Sequence, residues 1–270
     1  YYPTRVETAL LAAECDAIAR HVGAGRAVIE FGSGSSTKTP HLLRAVAPSA
    51  YVPIDISGEF LRTSSAALAT AFPGLAVMPV EGDFTRALTL PAEIDALPRL
   101  GFFPGSTIGN LIARSAVDLL RTMRASLGTG AMLLIGMDRI KDAATLIAAY
   151  DDAQGITARF NLNLLARINR ELDGDIPLDA FAHEARWNDS YARIEMHLRA
   201  TRAVDFTVAG TRFAMTAGET IHTENSHKYG ARDARLLLRS GGWSPVAEWT
   251  DPADAFALIL AEAHPPRSAP

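Results

Sequence analysis

The apolar run AVIEF breaks at residue 32 into Gly-Ser-Gly and continues as Ser-Ser-Thr-Lys-Thr to residue 39. A strand ending in glycines lets backbone N–H groups approach a ligand closely, and three ligand classes use such a turn. A triphosphate loop has a longer glycine frame running directly into its lysine, whereas Lys38 stands four residues past Gly34. A dinucleotide turn takes a third Gly or Ala three residues after the second, and that position is Thr37. The third class is a nucleoside without phosphates, such as S-adenosylmethionine, for which E-x-G-x-G admits the amino-acid portion. Its ribose would need an acid at the end of the next strand. Asp55 in YVPIDIS stands 23 residues beyond Gly32, near the ~20-residue offset of ribose-binding acids in such sheets. In EGDF, Asp83 would accept from an adenine amino group and Phe84 would cover the ring. The structural alternative is plain: a Gly-x-Gly can be only a tight turn, and an Asp after a strand only a helix cap.

These residues need strands to aim them. Arg5 to His21 has apolar residues three and four apart, which predicts a helix. Strands are expected at 28–31, 50–54, 76–80 and 131–137 and a strand with its loop over 99–108, with helices at 38–45, 60–71 and 116–127 between them. This alternation predicts an α/β fold with a doubly wound, Rossmann-like sheet, and the three polar elements fall at the carboxyl ends of its strands. The pattern breaks near Asp138. Residues 143–172 read as helical, and 187–213 as an antiparallel hairpin turning near Gly210. Residues 139–228 are therefore expected to form an inserted α+β domain, before a helix at 230–240 and a closing strand pair at 243–250 and 255–263.

Composition bounds the function. Hydrophobic residues make up 48% and charged residues 21%, with 26 Lys+Arg against 30 Asp+Glu, which is ordinary for a globular protein. No basic stripe interleaved with aromatics points to nucleic acid, and no run reaches the ~20 apolar residues of a spanning helix. Cys15 is the one cysteine, which leaves no intrachain disulfide and no thiolate zinc cluster. His222 and His227 have neither a nearby Cys nor a His-x-x-x-His spacing, so no metal is expected. A cytoplasmic monomer is the expectation. The chain opens Tyr-Tyr-Pro-Thr rather than with Met, so residues upstream are expected, and the tail from Pro265 is expected to fray.

The segments YYPTR, EFGSGSSTKT, IDIS, GDF, PGSTIGN, AYDD, FNLNLLARINRELDGD, EMHL and TENSHKY occur in this order from Tyr1 to Tyr229. As a set they resemble the S-adenosylmethionine-dependent histidine Nα-methyltransferases, which make trimethylhistidine on the route to ergothioneine. The resemblance implies a class I methyltransferase domain at 3–138 plus 229–270, and a substrate-binding domain at 139–228 together with residues 1–2. It implies S-adenosylmethionine as cofactor, released as S-adenosylhomocysteine, held by Gly32, Gly34, Lys38, Asp55, Asp83 and Phe84. Lys38 would meet the cofactor's carboxylate end. The family's tyrosine that closes over the cofactor would lie ahead of Tyr1.

By the same motif match, Tyr2, Asn110 and Tyr150 would grip the substrate carboxylate and backbone, while Gly105 and Thr107 would lie near the reacting amine. Met196 would line the side-chain pocket, and Glu224 and Ser226 would bind the two imidazole nitrogens. Imidazole needs an acceptor for its N–H and a donor-or-acceptor at its other nitrogen, which Glu and Ser supply, and residues two apart on a strand face the same way. Asn225 between them departs from the aliphatic residue expected there and bears on side-chain preference. No catalytic base is assigned. A methyltransferase acting on another amino acid's amine, or a non-catalytic sensor of the cofactor or an amino acid, are the competing functions.

Overall fold

The computed structural model describes residues 2–34 and 38–264; Tyr1, residues 35–37 with the Thr37 position weighed above, and the tail from Pro265 lie outside them. The chain forms two compact units, one of Pro3–Arg139 with Tyr229–Pro270 and one of Tyr1–Tyr2 with Ile140–Lys228.

In the larger unit, α1 (Tyr2–Val22, from its second residue onward) precedes β1 (Ala27–Phe31), α2 (Thr39–Val46), β2 (Ala50–Asp55), α3 (Gly58–Ala71), β3 (Ala76–Val77) and β4 (Val80–Glu81). Then follow β5 (Arg99–Phe103), α4 (Ala113–Leu127) and β6 (Met132–Asp138). The sheet runs β6-β5-β1-β2-β3, all parallel, with β4 also pairing with β2. The expected strand over 76–80 is two short pieces, because Pro79 between them has no N–H to give to a ladder.

Side chains alternate across this sheet into two cores. Ile29, Phe31, Val52, Ile54, Leu133 and Ile135 pack against Leu119, Leu120 and Met123 of α4. Val28, Tyr51, Leu100, Phe102 and Leu134 pack against Leu10, Leu11 and Ile18 of α1 and Leu42 and Leu43 of α2. Both faces are covered, which is why the strands read as continuous apolar runs. In α4 the buried positions 116, 119, 120, 123 and 127 recur at helical spacing, and Gly128 at φ 85° follows its end.

An ionisable side chain, Glu30, sits inside this core. Glu30 is 2% exposed, and its Oε2 accepts from Thr39 Oγ1 at 2.7 Å and from the Tyr51 hydroxyl. Burial pushes its carboxyl up to about 7, against the pull of those two hydrogen bonds. A carboxyl whose value is raised in the fold favours folding while protonated, so its contribution is lost as pH rises. Between its ordinary 4.5 and about 7 the loss amounts to about 3 kcal/mol. Glu30→Gln keeps an acceptor for both hydroxyls and is expected to flatten that decline. Denaturant unfolding at pH 5 and pH 8 measures it; an unchanged slope would mean that Glu30 does not titrate there.

The smaller unit contains α5 (Ala143–Tyr150), α6 (Ile156–Glu171), β7 (Phe181–Asn188), β8 (Arg193–Ala200), β9 (Val204–Val208), β10 (Thr211–Met215) and β11 (Thr220–His227). The helical stretch expected over 143–172 is made of two helices, α5 and α6. Asp152 accepts from Ile156 N–H at 3.0 Å and Thr157 N–H at 2.8 Å, starting a new helix where apolar spacing alone shows no break. The expected single hairpin is also two. β7 and β8 turn at residues 189–192, while β9 and β10 turn at Ala209-Gly210, both with positive φ. β8 lies central in a three-stranded sheet, between β7 and β11.

The chain then returns through α7 (Ala231–Ser240), β12 (Trp243–Thr250) and β13 (Phe256–Ala263) to the large sheet, where β13 runs antiparallel between β6 and β12.

Candidate active site

The glycine turn leaves β1 with Gly32 at φ 71° and Gly34 at φ 47°. Gly32 and Ser33 N–H both donate to Ile54 O, at 2.9 and 3.0 Å, which ties the turn to the end of β2. Asp55 completes the tie, its Oδ2 accepting from Gly34 N–H at 3.0 Å and its Oδ1 from Ser57 N–H at 2.9 Å. A carboxylate offers about four lone-pair sites, so each oxygen retains one for a ligand. A Cβ on Gly32 would stand 3.2 Å from the Phe84 ring, whose edge rests on Phe103 at 5.8 Å between centroids. Asp83 accepts from Thr85 Oγ1 at 2.6 Å and Thr85 N–H at 2.9 Å, and these bonds hold its carboxyl below the usual range.

Lys38 points to a group that motif reading missed. Its ammonium pairs with Glu7 of α1, and Glu7 also accepts from Gly105 N–H at 2.8 and 2.9 Å. Glu7 is fully buried; that burial raises its carboxyl value, and Lys38 pulls the other way. Room for it comes from Gly136 of β6, where a Cβ would fall 2.1 Å from Glu7 Oε1. Thr107 joins the cluster, because a Cβ on Gly105 would meet Thr107 Oγ1 at 3.3 Å and Lys38 Nζ at 3.8 Å. Ser106 fixes this loop by accepting from Asp138 N–H at 2.9 Å, and Asn110 stands exposed at the end of the 3-10 turn Thr107–Asn110. The available signal for Glu7 was an acid three and four residues before Leu10 and Leu11, on the apolar face of α1.

In the smaller unit a β-bulge decides which side chains meet. His222 pairs with His197 but Glu224 pairs with Met196, so Thr223 is the extra residue of β11. One extra residue reverses the alternation. Glu224 and Ser226 therefore share a face with Met196 and Ile194, which pack with Leu146 and Tyr150. His222 and Asn225 share the opposite face with His197 and Glu195. Asn225 is thus turned away from the Glu224–Ser226 face.

On the first face, Tyr150 Oη lies 2.6 Å from Ser226 Oγ, and both residues are 5% exposed. Lys228, buried as well, donates to both oxygens. Tyr150 is thereby joined to Ser226, although the resemblance implies a carboxylate for one and a ring nitrogen for the other. Its backbone is anchored too: Asn161 Nδ2 donates to His183 Nδ1 at 3.0 Å, and His183 Nε2 donates to Tyr150 O at 2.7 Å. Burial raises the Glu224 carboxyl, and no side chain among the described residues donates to it. Tyr2 accepts at 2.7 Å from Lys141, a cation that sequence reading missed.

The family described as histidine-specific, S-adenosylmethionine-dependent methyltransferase matches residues 1 to 263. The chain belongs to this family. It is 40% identical over 267 residues to histidine N-alpha-methyltransferase of Mycolicibacterium smegmatis, a match covering 97% of this chain and 82% of that one. It is 30% identical to ergothioneine biosynthesis protein 1 of Neurospora crassa, over 93% of this chain and 29% of that one. An S-adenosylmethionine-dependent methyltransferase from Clostridium acetobutylicum superposes with a TM-score of 0.54 at 11% identity, over 96% of this chain and 91% of that one. That likeness bears on fold alone, and it agrees with a Rossmann-like class I sheet.

In this methyltransferase the other face of β8 and β11 gathers Glu195, His197 and His222, with ligand-capable atoms within 4.8 Å of one another. Glu195 is already engaged by Arg193 at 2.6 and 2.8 Å and by Asn188 at 2.9 Å. Burial opposes its charge, yet these bonds and that from His197 hold its carboxyl at about 2. The two imidazoles stack 4.7 Å apart at 17°, so their in-plane lone pairs run side by side rather than converging on one point.

Proposed function

We propose that this methyltransferase transfers methyl groups from S-adenosylmethionine to the α-amine of L-histidine, up to the trimethylated betaine, as the first step of ergothioneine biosynthesis. The observation that carries the substrate is the face of β11: the half-buried Glu224 carboxylate, with no side-chain donor among the described residues, beside the Ser226 hydroxyl and the Met196 wall. A carboxylate accepts an imidazole N–H, a hydroxyl serves the second nitrogen, and an aliphatic wall covers the ring. A site with such buried groups rejects a side chain that cannot pair with them far more strongly than an apolar pocket rejects a missing methylene.

Cofactor binding is proposed for Gly32, Gly34, Lys38, Asp55, Asp83 and Phe84. The fit is physical. Gly32 has no Cβ to push Phe84 aside, Asp55 retains lone pairs for two ribose hydroxyls, and Lys38 offers a cation for an amino-acid carboxylate. When bound, S-adenosylmethionine supplies an electrophilic methyl group and leaves as S-adenosylhomocysteine. Asn110, Tyr150, Gly105, Thr107 and Tyr2 are proposed to position the amino acid, since much of the rate of an in-line transfer can come from orientation. The α-amine must be neutral to react; a neighbouring cation lowers an amine's value by like-charge repulsion, so its proton can leave to water without a dedicated base.

Incubation with S-adenosylmethionine and each amino acid in turn, read by mass spectrometry, tests this directly. Stepwise methylation of histidine up to the trimethyl product is expected. Methylation of a different amino acid with histidine untouched would sink the assignment, and binding without turnover on any of them would favour a sensor.

A further inference from the structure

Lys228 has no task in the reading above. It lies two residues beyond Ser226, is 3% exposed, and its ammonium donates to Tyr150 Oη at 2.8 Å and Ser226 Oγ at 2.9 Å. These two oxygens are themselves 2.6 Å apart, a distance that leaves open which hydroxyl donates. An ammonium has N–H donors and no acceptor, so each hydroxyl oxygen gives it a lone pair.

Two hydroxyls own two protons, and one of these lies between them. A phenol is intrinsically a stronger hydrogen-bond donor than an aliphatic alcohol, and Lys228 takes one lone pair from each oxygen alike. The shared proton therefore belongs to Tyr150. Ser226 Oγ then has both lone pairs occupied, by Lys228 and by Tyr150, and holds one proton that can only be donated outward. We infer that Lys228 makes Ser226 an obligate donor, so that with Glu224 as acceptor the pocket selects a neutral imidazole in a single tautomer. Its N–H faces Glu224 and its bare nitrogen faces Ser226. An imidazolium would set a second N–H against the serine proton, and a ring lacking that bare nitrogen would leave the serine proton unmatched. Lys228 is thus a positioning residue that acts on substrate through Ser226.

This inference rests on the proposed histidine pocket, and a double-mutant cycle separates the two. Ser226→Ala, Lys228→Met and the double variant are titrated with histidine by calorimetry and assayed for KM and kcat, with thermal stability and S-adenosylhomocysteine binding as controls. Ser226→Ala is expected to weaken histidine binding about 10-fold, as for one hydrogen bond to a buried partner. Lys228→Met should raise KM by a similar factor with kcat at saturation little changed. The double variant should lose no more than about twofold beyond Ser226→Ala, because coupled residues are non-additive. Lys228→Gln, whose amide N–H groups can donate to hydroxyls, should recover part of the affinity, and it replaces the Met variant if that variant does not fold. Additive losses, or undiminished histidine affinity in the Lys228 variants, would overturn the inference while leaving the pocket standing. Undiminished affinity in both Ser226→Ala and Glu224→Ala would overturn the pocket itself.

Discussion

Glu224→Ala lowers kcat/KM for histidine by about 10²–10³-fold and leaves S-adenosylmethionine affinity within about twofold. The magnitude has two parts. A hydrogen bond to a charged group is worth about 1.5–3 kcal/mol, and an imidazole N–H left unpaired in a half-buried pocket adds about 1 kcal/mol or more. The loss should appear mainly in KM, because the ring contact is the same before and during methyl transfer, and uniform binding does not enter kcat. Glu224→Gln retains a carbonyl acceptor and should lose about tenfold, from charge alone. Calorimetric titration of each ligand, alongside steady-state kinetics, checks all three statements. Equal loss of histidine and cofactor affinity would mean that β11 supports the fold rather than the ring.

How much of this was legible in the sequence differs by element. The parallel part of the sheet was readable, because strands buried on both faces must be apolar throughout and the intervening helices have their own period, as the 116-119-120-123-127 stripe of α4 illustrates. The divisions of the smaller unit were not. Asp152 breaks a helix by capping a new one, and nothing in the apolar spacing distinguishes a cap from an exposed acid until its N–H partners are seen. The β-bulge at Thr223 is likewise invisible in composition. Even so, the simple two-residue argument for Glu224 and Ser226 holds beyond the bulge, whereas extending it back to His222 would have placed that ring on the wrong face. The candidate ligands that motifs point to are chiefly those at strand ends. The groups that hold them, Glu7 beneath Lys38, Lys228 beneath Ser226 and His183 beneath Tyr150, come from distant segments, and only the fold brings them together.

Lys38→Met is expected to cost about 3–5 kcal/mol of stability at neutral pH, the usual result of removing one partner of a buried ion pair. Among the described residues Glu7 would then keep the Gly105 N–H as its one donor while remaining fully buried. The melting temperature should fall by roughly 10 °C, at about 2–4 °C per kcal/mol for a chain of this size. The sign of the pH dependence follows from burial, which already raises the Glu7 carboxyl value with Lys38 present. Without Lys38 that value rises further, so the deficit is largest at high pH and shrinks as acid protonates Glu7 in the fold. Glu7→Gln combined with Lys38→Met removes the orphaned charge and should restore most of the stability. It should not restore cofactor affinity. If Lys38 also meets the cofactor carboxylate, as proposed, both Lys38 variants bind S-adenosylmethionine about tenfold or more weakly, whatever residue occupies position 7. Thermal melts and calorimetry on the two single variants and the double variant separate these roles. A double variant that recovers stability and cofactor affinity together would assign Lys38 to the fold alone and remove it from the cofactor site.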